Sequence, residues 1–170
     1  MPLDTALAPE RILDDAWAEA GPAALIDHIL RRYHEVHRAQ FPTAIGLARR
    51  VEAVHQDHPR CPRGLADHLA IMADHLMSHQ GREETVLFPM MLVGGHPMIR
   101  HPVARMEEEH RDVDQQLLRL AVLTTDFTPP VDACGTWRAL YGACQAIADD
   151  LREHMRLEND ILFPRFVTAG

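Results

Sequence analysis

The chain has 170 residues, 46% hydrophobic and 25% charged, the size and composition of one soluble domain with its own core. A formal net charge of −8 argues against nucleic acid and anionic membranes as partners, and no apolar run approaches the ~20 residues of a membrane span. Three cysteines (Cys61, Cys134, Cys144) form no zinc-type pair and no secretory leader is visible, so the chain reads as cytoplasmic.

In chain order, residues 1–21 form a short N-terminal extension, helical in composition, that packs on the main body or frays. Gly21-Pro22 then opens the first of four long segments, roughly 22–57, 63–90, 102–125 and 134–163. Each has apolar residues at three- and four-residue spacing, as in Leu117, Leu120, Ala121 and Thr124, and none alternates in the strand manner. Clusters of Pro and Gly separate them. Pro42 inside the first segment is expected to kink or split it. Four helices with short connections predict an all-α, up-down-up-down four-helix bundle over residues 22–166.

The unusual feature is histidine, 12 in all, and a repeat that contains two of them. HQGREETVLFP (79–89) and HMRLENDILFP (154–164) share a His, a Glu four residues on, and Leu-Phe-Pro in one register. At i and i+4 the two polar groups share a helix face. Val86/Leu87 and Ile161/Leu162 read as a core-facing stripe beyond them, so His79/Glu83 and His154/Glu158 face inward. The Leu-Phe-Pro reads as two core anchors and a proline that ends the helix. Two buried carboxylates that face each other are costly unless a cation lies between them. The plain alternative is a structural bundle with zinc or no metal.

Ligands from the other two helices follow from height, at about 1.5 Å per residue. Counted from the turn near 58–62, His34 is level with Glu83. Counted from the 126–133 turn, His110 is level with His154. His55 lies about 30 Å below His34 along a straight helix and is left out. The expected metal set is His34, His79, Glu83, His110, His154 and Glu158. His37 is a fallback if the register slips. His75 and Glu109 are expected in supporting positions around the ligands, with Asp74 and Asp114 near the cavity mouth. His28, His58, His68, His96 and His101 read as surface or turn residues.

These motifs resemble the hemerythrin-like HHE cation-binding domains, and among them the bacterial repair-of-iron-centres group (ScdA/YtfE/DnrN). The similar stretches are LIDHILRRYHEVHR, VEAVHQDHP, HQGREETVLFP, MEEEHRDVDQQL, LTTDFTPPVDACGTW and HMRLENDILFP, within residues 22–166. The resemblance implies a bundle that holds two iron ions and serves damaged iron–sulfur proteins under nitrosative and oxidative stress by supplying iron, with NO or O2 as the expected small ligands. Mn or Zn are substitutes that the same donors accept. The family's ligand positions fall on the six residues named above, and its carboxylate near the iron channel falls on Glu109. At the His75 position the family carries Glu. The family's N-terminal domain with an adjacent Cys-Cys pair has no counterpart in this sequence, so a step that needs that pair is not expected of this chain alone.

Two six-coordinate irons offer about twelve positions; four imidazoles, two bridging carboxylates and one oxo or hydroxo bridge leave roughly two open. Oxygen-carrying hemerythrins add a His one turn from the third-helix His, where this chain has Met106 and Asp114. The open site favours iron release or NO chemistry over reversible O2 carriage. An O2/NO-binding or NO-reducing di-iron protein is the alternative reading. The ferritin-like class is disfavoured because its motif is Glu-x-x-His.

Overall fold

Gly21 precedes a proline at the first helical position, where a missing N–H costs nothing, and helix α1 (22–54) begins there. The computed structural model describes residues 16–167. α1 runs from Pro22–Ile29 through a π-helical turn, Leu30–His34, into Glu35–Val54. α2 (65–92) joins Leu65–Arg82, a π-turn Glu83–Leu87 and Phe88–Leu92. α3 is Arg100–Leu123. α4 (135–162) joins Gly135–Arg156 to a π-turn Leu157–Leu162, followed by a short α5, Pro164–Val167. No strand occurs among the described residues, and none of their helices is long and apolar enough to cross a membrane.

Each long helix carries one buried stripe, interrupted once by polar residues. On α1 the stripe is Leu25, Ile29 and Tyr33, then His34 and His37, then Phe41, Ala44, Ala48 and Val51. The apolar parts belong to two separate clusters. One holds Leu25, Leu87, Met106 and Phe163; the other holds Phe41, Leu76, Leu117 and Leu151. α1 passes from the first cluster to the second, α2 from the second back to the first, α3 and α4 likewise. That alternation is the up-down-up-down order. It places the polar interruptions of all four helices in one layer, with apolar side chains above and below. α1 packs on α2 and α4, and α3 packs on the same two helices.

Two expectations about proline are corrected. α1 is not split at Pro42, which lies on its exposed face. Pro89 does not end α2. The preceding π-turn resets the hydrogen-bond register, Pro89 enters a fresh helical stretch near its start, and the helix continues to Leu92. Of the two apolar pairs, Leu87 and Leu162 are buried, whereas Val86 is 48% exposed.

Of the N-terminal extension, residues 1–15 lie outside the described residues; residues 16–19 are helical. Trp17 packs on His28 with ring centroids 4.5 Å apart, and Arg165 donates to the Trp17 and Ala20 carbonyls. This piece therefore packs on the bundle end.

Candidate metal centre

All three π-turns touch the polar layer: His34 closes the first, Glu83 opens the second, and Glu158 lies in the third. A π-turn adds a residue to one helical turn, here seen as the Phe163 N–H donating to the Glu158 carbonyl at 2.8 Å. Each i, i+4 pair holds as expected: His79 Nε2 is 3.2 Å from Glu83 Oε1, and His154 Nε2 is 3.0 Å from Glu158 Oε1.

The remaining distances join the pairs. Glu83 Oε2 is 3.3 Å from His34 Nε2, and Glu158 Oε2 is 3.2 Å from His110 Nε2. Two four-residue groups result: His34, Glu83, His154, Glu158, and His79, Glu83, His110, Glu158. Each carboxylate gives one oxygen to each group. All six residues are at most 3% exposed.

The contacts are unlike ordinary hydrogen bonding. Both oxygens of Glu83 and Oε2 of Glu158 lie close to imidazole nitrogens, yet none has a well-aligned hydrogen-bond donor. The nitrogens also face one another, His34 Nε2 3.3 Å from His154 Nε2 and His79 Nε2 3.2 Å from His110 Nε2. Ligand atoms about 2.0–2.2 Å from a common ion stand roughly 3 Å apart, so lone pairs that converge on two points explain both facts. The donor set, imidazole and carboxylate, suits iron, manganese or zinc.

The charges tell the same story. Burial alone would depress His34, His79 and His110, but Glu83 and Glu158 outweigh it; His79 is raised to about 9. Burial and mutual repulsion would raise Glu83, and burial would raise Glu158, yet the facing imidazoles hold both carboxyls down. Without a cation the two carboxylates thus favour a proton on the His79 imidazole.

Three of the four rings have their outer N–H fixed. His34 Nδ1 meets Glu84 at 2.8 Å, His79 Nδ1 meets Glu109 at 2.9 Å, and His110 Nδ1 meets Asn159 at 2.8 Å. Glu109 is also bound by Arg82 and Arg105 at 2.7 Å each, which helps hold its carboxyl down at about 2 against burial. Phe88 stacks on His34 and Phe163 on His110, so the Phe of each Leu-Phe-Pro seats an imidazole from the preceding helix.

The other histidines separate cleanly. His55 is not in this layer; its Nε2 lies 3.2 Å from Cys134 Sγ. His75 is exposed and its Nδ1 accepts from the Gln116 amide, so it supports no ligand ring directly. It does line a cleft of about 290 Å³ with His79, Arg82, Arg105, Glu109 and Gln116. Asp74 and Asp114 are exposed. His68 reaches the Gln116 carbonyl, and His58 pairs with Asp132. His37 is fully buried beside the centre, bound through Nδ1 by the Gln80 amide, but its nitrogens join neither group. Burial and the neighbouring His154 push His37 down to about 3, so its ring is neutral.

Glu84 and Asn159 were missed by the sequence reading. The signal was available: each immediately follows the Glu of a repeat, so the motif is one residue longer than its obvious part.

A helical bundle with two buried imidazole–carboxylate groups that share both carboxylates defines a hemerythrin-type protein. The profile of the hemerythrin HHE cation binding domain matches residues 25–166, and the chain belongs to that family. It is 48% identical over 149 residues to the iron-sulfur cluster repair protein YtfE of Dickeya chrysanthemi (strain Ech1591), covering 88% of this chain and 67% of the relative. The YtfE proteins of Cronobacter sakazakii (strain ATCC BAA-894) and Escherichia coli O81 (strain ED1a) are 44% and 42% identical, over 95% and 92% of this chain and 73% and 71% of their own lengths.

Proposed function

We propose that His34, His79, Glu83, His110, His154 and Glu158 hold two iron ions, and that the chain stores and donates that iron in the repair of damaged iron–sulfur proteins. The observation that carries the reading is the sharing of Glu83 and Glu158, oxygen by oxygen, between the two groups. The relatives' names support the repair role. Iron bound there supplies open coordination positions and one-electron chemistry. The protein's own residues do the rest. Glu84, Glu109 and Asn159 orient three imidazoles, and the apolar layers above and below exclude water. The cleft beside His79, with its Arg82–Glu109–Arg105 wall, is the route by which an ion or small ligand reaches the layer.

The test has two parts. Elemental analysis of protein purified without added metal gives close to two irons per chain. The loaded protein then restores cluster absorbance to an NO-damaged iron–sulfur protein, while a double variant of Glu83 and Glu158 does not. Two irons with a stable NO adduct and no transfer would favour the ligand-binding alternative. Zinc, or no metal after anaerobic reconstitution, would overturn the iron reading.

A further inference from the structure

The two halves of the chain build the layer by the same plan. α1 gives His34 and α3 gives His110. α2 gives His79 and Glu83, and α4 gives His154 and Glu158. The plan extends outward: Glu84 on α2 takes the outer N–H of His34, and Asn159 on α4 takes that of His110. It fails at one place. Glu109, the residue before His110, takes the outer N–H of His79. The matching residue before His34 is Tyr33, whose ring stacks flat on His154 with centroids 5.3 Å apart and planes 4° apart. Stacking offers no acceptor in the ring plane, and His154 Nδ1 has no protein partner among the described residues.

A second departure from the plan lies beside the first. Three residues past His34 is His37; three past His110 is Val113. One past His79 is Gln80; one past His154 is Met155. The α1–α2 side therefore carries a buried polar pair where the other side carries two apolar residues. His37 and Gln80 are both 0% exposed, and the His37 ring lies 5.6 Å from that of His154, centroid to centroid. The Gln80 amide donates to His37 Nδ1 at 3.1 Å, which leaves the His37 proton on Nε2. That Nε2 has no protein partner, and neither do Gln80 Oε1 and Gln40 Oε1. Two ring N–H donors and two amide oxygens are what one water can join, as acceptor twice and donor twice. A buried water typically makes about three such bonds.

We propose that His37 is the positioning residue of His154, joined to its Nδ1–H by one internal water that Gln80 or Gln40 completes. The buried polar pair on α1 and α2 thus replaces the acceptor that Tyr33 does not supply. This rests on the metal reading above, because a ring N–H needs a fixed acceptor most when the opposite nitrogen binds a cation.

The test uses the Fe(II)-loaded chain and its His37→Leu and His37→Gln variants. Iron per chain is counted first. The expected result is two irons in all three. Proton NMR then follows the solvent-exchangeable imidazole N–H signals: one of the four shifts and exchanges faster in His37→Leu, with the other three unchanged. Iron release to a chelator speeds up on the order of tenfold, the usual scale for loss of a ligand's outer partner. His37→Gln, which keeps an N–H and an acceptor in reach, restores both. Two irons with unchanged N–H signals and release rate in His37→Leu would overturn this inference and leave the metal reading standing. No iron in any of the three, wild type included, would overturn both. Failure of His37→Gln to restore the signal while its iron count stays at two would also count against it.

Discussion

Glu83 and Glu158 divide their oxygens between the same two groups of imidazoles, so neither group is complete without both. The histidines are not shared. Glu83→Ala or Glu158→Ala is therefore expected to reduce metal content from two per chain to below one, whereas His34→Ala or His79→Ala leaves about one. Elemental analysis after desalting separates the cases. Equal losses in all four variants would mean that the carboxylates do not bridge.

Metal uptake competes with protons. Against burial, Glu83 and Glu158 raise His34, His79 and His110, with His79 at about 9, so the His79 ring carries a proton at neutral pH that a cation must displace. Affinity rises with pH across that range, and calorimetry in buffers of different ionisation enthalpy registers proton release. In metal-free protein, a ring raised from 6.5 to about 9 contributes stability that is full below 6.5 and is lost as pH rises through 9. Denaturation midpoints that climb from pH 7 to 9 would contradict this.

Glu109 fixes the outer N–H of His79. Glu109→Ala should weaken metal binding about 10–100-fold, with metal content at saturation still two per chain. Competition against a chelator measures it. The carboxyl is held at about 2, below its usual 4.5, by Arg82, His79 and Arg105 against burial. Its contribution to stability is therefore present above 4.5 and lost as pH falls through 2, and Glu109→Gln flattens that acid limb.

The cysteines differ sharply. Cys134 is exposed at the start of α4, where the Trp137 backbone N–H and then His55 lower its thiol. Burial pushes Cys144 up to about 12 and raises Cys61. Iodoacetamide near neutral pH is expected to label Cys134 at least about tenfold faster than either, because the thiolate is the nucleophile. Peptide mass mapping over time reads the order, and prior labelling at Cys61 or Cys144 would contradict it.

The repeat HxxxE…LFP carried most of the site. Period 3.6 puts His79 over Glu83 and His154 over Glu158 whatever the packing, and the alternation of apolar segments with polar interruptions is readable once four helices are assumed. Height along antiparallel rods then brings His34 and His110 to the same layer, and the structure places them there. His75 was misjudged as a support because its spacing to His79 is right; only packing reveals that it faces Gln116 and solvent. Pro89 does not end its helix because the sequence rule for proline presumes an unbroken α-helical register, and the π-turn Glu83–Leu87 changes that register just before it; Pro42 is tolerated because it lies on the exposed face of α1.

By itself, then, the sequence determined the class of fold, the inward-facing pairs and the chemistry of the donors, because these follow from local periodicity and residue type. Only the tertiary structure decided which oxygen meets which nitrogen, which ring N–H finds Glu84, Glu109 or Asn159, and that His37 lies beside the one ring left without an acceptor. Apart from the two i,i+4 pairs, those contacts join residues 30 to 117 positions apart across helix interfaces, and their register is set by side-chain packing and by π-turns, which no count along the chain supplies.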